Sequence, residues 1–284
     1  MAVITIKNLK KRGIENEKAN ITKGGASMLI YKYTPHNKCH KYDIIKKQEL
    51  WFANIDSLND PLDSNLAYRQ EYSKDEIREY WEKFLQNKPV WNIQEALSKW
   101  GDSESFIAQQ NRSFEAIKSQ IGVLCMSKNP KNILMWAHYA NRHQGIVYEF
   151  DADLFGFSEN KDLKNYPYHI VYPYHREYGV LSYTKTSEDM RKEFIKLLTI
   201  KAKDWECEEE VRFFDFSNKG NGIARKFNPD CLKSIIFGAK TPPDEIEIMI
   251  DCCKKNDLNH IRFYKAEFAE GRFELVLNEI KEIK

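Results

Sequence analysis

The chain has 284 residues, with 44 basic and 42 acidic side chains and a formal charge of +2. That length suits one large domain or a core with an inserted subdomain. The near balance excludes binding to nucleic acid by bulk charge alone, while leaving room for a local basic groove. Hydrophobic residues make up 42%, enough for a core, and aromatics 13%. Abundant rings suit a core built from large pieces first, and a pocket for flat ligands second. No apolar run approaches the ~20 residues that a membrane helix needs. Residues 1–28 are polar and lysine-rich, without the apolar centre of a signal peptide. The six cysteines form no C-x-x-C pair, so neither a disulfide framework nor a zinc site is expected, and free thiols fit a reducing cytoplasm.

Residues 1–27 read as an N-terminal extension, and 28–284 as a single domain. Met28–Thr34 is a β-rich run, Lys41–Gln48 is helical, and Glu49–Ala53 is a short strand. Asn59-Asp60-Pro61 is turn chemistry, because the residue before proline avoids the helical region. Residues 73–120 are charged and carry Trp81, Phe84, Trp91, Trp100 and Phe106 at helical spacing. They predict two or three amphipathic helices inserted into the strand-rich part. Strands follow at Ile121–Ser127 and Gly145–Phe150, with a helix at 132–141 between them. A strand is expected at His169–Tyr172, a helix at Ser187–Lys203 and a strand at Glu208–Phe216. Leu232–Gly238 is a strand, Pro242-Pro243-Asp244 opens a helix through Cys253, and His260–Lys265 and Phe273–Asn278 are strands. The pattern is mixed α+β with a strand-rich core.

Three segments carry chemistry. In Glu208–Phe214, period-two alternation puts Glu208, Glu210, Arg212 and Phe214 on one face, and Val211 and Phe213 on the other. Two buried carboxylates on one face require a cation or a ligand to satisfy them, and Arg212 is the ordinary partner. In Met135–His143, His138 and His143 are not spaced as an i, i+4 metal pair, which argues against zinc. The ordinary reading is a helix docked through Trp136 and Tyr139. In Tyr31-Lys32-Tyr33-Thr34, a lysine within a core strand must be exposed, paired or functional. Asn59, Asp60 and Asp63 suit a capped turn better than a metal site.

Taken together, Tyr31-Lys32-Tyr33, Leu50-Trp51-Phe52, Leu58–Asp63, Met135–Ala140, His143-x-Gly145, Glu149-Phe150 and Trp205-x-x-Glu208-x-Glu210-x-Arg212 resemble a bacterial family of unknown function, the DUF2971 type. The resemblance runs in segments from Leu29 to Gly238 and implies an association with phage defence. A second resemblance is to ADP-ribosyltransferases, which present an early strand, a middle Ser/Tyr segment and a late Glu-x-Glu strand. It implies an α+β, ADP-ribosyltransferase-like strand-rich core with a helical insert at about 73–120. It also implies NAD as co-substrate, no metal, Glu210 as catalytic residue and Glu208 as its helper. Ser127, Trp136, His138 and Tyr139 would then line the NAD site, with Tyr139 or Trp136 stacking the nicotinamide ring. No His or Arg follows Tyr31, so the ribose-binding role falls to Lys32 or Tyr33.

That resemblance implies an ADP-ribosyltransferase or NAD glycohydrolase, acting as a toxin or anti-phage effector on nucleic acid or protein. An antitoxin or defence-system partner is implied, and no membrane. Lys and Arg interspersed with aromatics in the insert would favour nucleic acid. Two other readings stand beside it. One is a metal-dependent nuclease using Asp60, Asp63, Glu208 and Glu210. The other is a non-catalytic sensor or interaction protein of a defence system.

Overall fold

A computed structural model describes residues 27–35, 42–64, 71–86, 92–155, 167–175, 195–216 and 221–281. Residues 1–26 of the expected extension at 1–27, and 187–194 of the expected helix at Ser187–Lys203, lie outside these residues.

The strands are β1 (Leu29–Thr34), β2 (Glu49–Asn54), β3 (Gly122–Ser127), β4 (Ile146–Asp151) and β5 (Tyr168–His169), followed by β6 (Glu210–Asp215), β7 (Ile223–Lys226), β8 (Leu232–Phe237), β9 (Arg262–Phe268) and β10 (Leu275–Glu279). They join one sheet in the order β10-β9-β8-β4-β1-β3-β2-β7, with β6 and then β5 branching from β3. Every pairing between these strands is antiparallel except β8 with β9. A parallel pair needs a crossover, and helix α6 (Pro243–Lys255) supplies it. Among the described residues no helix is long and apolar enough to cross a membrane.

The sheet forks at β3. One edge of β3 pairs with β6 along its whole length, from Gly122↔Asp215 to Ser127↔Glu210. The other edge is shared: β2 meets it only at Gly122 and Val123, and β1 only at Ser127. Between those points the backbone lacks a continuous neighbour. A buried carbonyl still needs a donor, and the Lys32 ammonium of β1 reaches across the gap to the Cys125 carbonyl at 2.9 Å.

Alternation on the strands builds a core on each face. Ile30, Tyr148, Phe150, Val211, Phe213 and Ile235 point to one side, where Met249, Ile250 and Cys253 of α6 cover them. Tyr31, Tyr33, Val147 and Ile236 point to the other, under Met135, Trp136 and Ala140 of helix α5 (Ile133–Tyr139). Here α5 follows in the chain-order numbering after α1 (Asp43–Lys46), α2 (Lys74–Leu85), α3 (Ile93–Trp100) and α4 (Ser103–Lys118).

Among the described residues the insert forms three helices, within the two or three that its spacing predicts. Each begins on a side-chain cap: a Ser73/Glu76 capping box for α2, Asn92 for α3 and Asp102 for α4. Such caps satisfy backbone donors that the first turn leaves open. Ile77, Tyr80, Trp81, Ala96 and Phe106 make a core belonging to the insert itself. The far half of α4 leaves that core and packs Phe114 and Ile117 against Ile55, Val123 and Phe214. One helix therefore serves two cores and fastens the insert to the sheet.

After α5 the chain makes a left-handed turn, with φ of 46°, 54° and 68° at Asn141, Arg142 and His143. Gly145 follows, where a Cβ would lie 2.4 Å from the Thr34 carbonyl oxygen. Only glycine lets β4 start this close to β1.

Several expectations need correction. Strand β7 was not anticipated, because Ile-Ala-Arg-Lys is half polar. β5 occupies Tyr168–His169, and Val171 then makes a single parallel bridge to Ile200. That bridge competes with the helix expected to run through Lys203. Residues 195–198 are helical, but Thr199 turns and the chain is non-helical to Ala202. β6 begins at Glu210 rather than Glu208, since Lys203–Glu208 is a 3-10 turn and Glu209 has φ 45°.

Candidate functional site

The site lies at the fork, where β1, β3 and β6 meet α5 and the 3-10 turn Lys203–Glu208. From Glu210 onward the expected alternation holds. Glu210 and Arg212 point together, and Phe214 joins the α4 side, while Val211 and Phe213 enter the opposite core. Glu208 reaches the same place by another route. The 3-10 turn and the left-handed Glu209 swing its carboxylate in, and the β3–α5 loop pins that turn. Ser127 Oγ donates to the Glu208 carbonyl at 2.7 Å, Asn129 Nδ2 to Glu209 Oε1 at 2.8 Å, and Asn132 Nδ2 to the Cys207 carbonyl.

Five charged side chains converge in the interior: Asp63, Lys201, Glu208, Glu210 and Arg212. Their side chains are at most 5% exposed. Arg212 forks onto Glu210, with Nε to Oε1 at 2.7 Å and Nη2 to Oε2 at 2.9 Å. Its Nη1 also donates to Asp63 Oδ1 at 2.8 Å and to the Leu198 carbonyl at 3.0 Å. The Lys201 ammonium donates to Glu208 and lies 3.2 Å from Glu210 Oε2. Burying charges is tolerable only when each is paired in this way.

Three carboxylates face two cations, so the ionised cluster is short of one positive charge. Burial pushes the Glu210 carboxyl up, but the charge and hydrogen bonds of Arg212, then Lys201 and the Cys125 thiol, outweigh it and hold it at about 2. Burial likewise works against the Lys201 ammonium, yet Glu210, Glu208 and Asp63 raise it above the ordinary lysine value. Glu210 and Lys201 are therefore held in their charged forms. Tyr172 completes the cluster by accepting the Glu210 backbone N–H at 2.7 Å.

Tyr139 stands beside the acids. Its hydroxyl donates to Glu208 Oε1 at 2.6 Å and accepts from Asn59 Nδ2 at 2.8 Å. Burial first, and the Glu208 carboxylate second, keep this phenol protonated well above its usual range. Two small cavities flank it. The inner one, about 130 Å³, is lined by Lys32, Tyr33, Ser127, Tyr139, Glu208 and Glu210, among others. The outer one, about 120 Å³, opens between α5 and the 3-10 turn, against Leu134, His138, Trp205 and Cys207. Both share Met135, Tyr139 and Glu208. The Tyr139–Glu208 hydrogen bond thus stands where the two cavities meet.

Most residues singled out in the sequence converge here. Glu208, Glu210, Lys32, Tyr33, Ser127 and Tyr139 line the inner cavity, and His138 lines the outer one. Tyr33 Oη donates to the Asn129 carbonyl at 2.6 Å. Trp136 lies elsewhere. It is fully buried, its indole N–H donates to the Pro130 carbonyl at 2.7 Å, and its ring packs edge-on to Tyr33 and flat against His143. It supports the β1 face of the site, and its ring is not offered to a ligand.

Sequence reasoning missed Lys201 and Tyr172, and named Asn59 only in a turn and Trp205 only in a motif. Lys201 was hidden inside an expected helix, although a lysine seven residues before Glu208 is the kind of cation such acids require. Of the acids named for a nuclease, Glu208 and Glu210 line the inner cavity and Asp60 and Asp63 do not. Asp63 is clamped by Arg212, and Asp60 accepts the Leu62 backbone N–H in a turn. Among the described residues no group of three or more His, Cys, Asp or Glu side chains is placed to hold a metal.

No curated protein and no solved structure matches the chain. Residues 135–213, which run from α5 to β6 and contain Tyr139, Lys201, Glu208, Glu210 and Arg212, match the family model described as Protein of unknown function (DUF2971).

Proposed function

We propose that this cleft breaks the nicotinamide–ribose bond of NAD, as an ADP-ribosyltransferase or NAD glycohydrolase. The observation that carries the reading is the Glu208/Glu210 pair, buried among cations yet lining a small cavity beside Tyr139. Departure of nicotinamide leaves positive charge on the ribose, as in glycoside cleavage. A carboxylate already ionised and fixed in place stabilises that charge without reorganising. Arg212 and Lys201 keep Glu210 ionised, and Glu208 is the carboxylate that both cavities reach.

Size limits how NAD enters. The inner cavity, at about 130 Å³, is smaller than the ~300–1,000 Å³ of typical ligand pockets. It suits one ring-sized group, so the reacting end enters and the rest of the dinucleotide lies outside. Lys32 and Tyr33, which line the inner cavity, would meet the ribose. In this reading the fold is of the ADP-ribosyltransferase kind, and the chain acts as a toxin or anti-phage effector.

The test is nicotinamide release from NAD by the purified chain, without added metal. Glu208→Gln should lower the rate about 100–1,000-fold, the usual cost of losing one electrostatic partner. Circular dichroism should show the variant still folded, with a lowered melting temperature because Lys201 loses a charged partner. No nicotinamide release by the unsubstituted chain, or full release by Glu208→Gln, would remove this chemistry.

A further inference from the structure

The reaction proposed above uses the inner cavity and leaves the outer one without a role. The outer cavity is built from two stripes of α5 and one turn. Leu134 and His138 form one i, i+4 stripe, and Met135 and Tyr139 the next. Across from them stand Trp205 and Cys207 of the 3-10 turn. Its volume of about 120 Å³ is below the ~150 Å³ known to accept a whole benzene ring, so a ring enters by one edge and leaves the rest outside. Leu134 at its rim is 52% exposed, a large apolar side chain left in water beside a buried charge cluster.

The polar groups around this slot select further. Its carboxylates are Asp204 at the surface and Glu208 at the base. The nearest buried cation, Lys201, is spent on Glu208 and Glu210 and lies 4.9 Å from the Trp205 ring centroid. An anionic group would meet two carboxylates, and the one basic side chain lining the slot is the His138 imidazole. A flat ring that presents N–H donors would satisfy them while its faces meet Leu134, Met135 and Trp205.

We propose that the outer cavity is a second ligand site, for a nucleobase bearing an exocyclic amine. Adenine, guanine and cytosine carry such donors on a stackable ring. Glu208, at the boundary, would accept a hydrogen bond from the base on one side while facing the inner cavity on the other. The site stands independently of the NAD reading, because binding is measured with no NAD present.

Calorimetry on the full chain with adenosine, guanosine, cytidine and a short single-stranded oligonucleotide tests the idea, with ribose 5-phosphate as control. Nucleoside binding points to a free base as the source. Binding of the oligonucleotide alone points to a polynucleotide. Either result supports the site, provided that Trp205→Ala weakens it about tenfold, as loss of a stacking ring should. Trp205 also packs on Lys201, so Leu134→Gln, at an exposed position, is the second variant and should weaken binding while the melting curve stays put. Absence of binding to every base-bearing probe, binding as tight to ribose 5-phosphate, or binding unchanged in Leu134→Gln would overturn the proposal. Nicotinamide release assayed in parallel keeps this outcome separate from that of the proposed reaction.

Discussion

The helical insert and the cleft beside Tyr139 draw on the same residue types and use them in opposite ways. In the insert, Tyr80, Trp81, Trp100 and Phe106 close on one another, with Trp81 stacked on Trp100 at 5.2 Å and edge-on to Tyr80 at 4.9 Å. Around the cleft, Tyr139 and Trp205 wall openings instead, because the buried Glu208 carboxylate beside them keeps the rings from closing into an oily core. Ring content and helical spacing are alike in the two regions. What separates them is whether charge is buried alongside. The basic residues interspersed in the insert therefore carry less weight as a nucleic-acid signal, since its described core rings are engaged with each other.

The contrast can be tested from its strongest point downward. Arg212→Met should have the largest effect, leaving Asp63 and Glu210 buried without their main cation. Breaking a buried pair on one side costs about 3–5 kcal/mol, and urea unfolding of the whole chain should show it. Trp81→Ala should cost about 3 kcal/mol through the cavity it leaves, but the damage should stay local. Hydrogen exchange should quicken across α2–α4 while β3, β4 and β8 keep their protection. Equal loss in the sheet would mean that the insert core is not separate.

A gentler probe is acid. The Glu210 carboxyl is held at about 2 in the folded chain against an ordinary 4.5, with burial opposing and Arg212 and Lys201 prevailing. A depressed folded value contributes stability that is present above pH 4.5 and is lost as pH falls through about 2. Melting temperature should therefore decline across that window, and the slope should flatten in Glu210→Gln, which has no such proton to bind. The same variant is expected to be less stable at neutral pH, because Arg212 loses a charged partner.

Much of this was legible from residue order. Nine of the ten strands follow from apolar runs or alternation, β5 with shifted bounds, and the two or three insert helices from spacing. The acids of β6 and Tyr139 on α5 were identifiable because buried carboxylates and an aromatic helix face are unusual enough to stand out. β7 was hidden because an edge strand with alternating exposure looks like a polar loop. Lys201 was hidden for a different reason. Local propensity favours helix through that stretch, and only the tertiary bridge Val171↔Ile200 pulls it straight. Trp136 misled because its type suits both a core and a platform, and sequence alone does not tell which side of α5 meets the sheet.

The reach of Arg212 has a consequence for how the molecule is assembled. It joins β6 to Asp63, 149 positions earlier, and to the Leu198 carbonyl, 14 positions earlier. Each of these partners belongs to a different stretch of chain, and none is of use without the rest. A half-docked intermediate would hold a guanidinium or a carboxylate stranded out of water, which disfavours it on the way in. Contacts this distant in sequence also form slowly. Completion of the cleft is thus coupled to completion of the fold, and a chain that has stalled short of the native state carries no competent site.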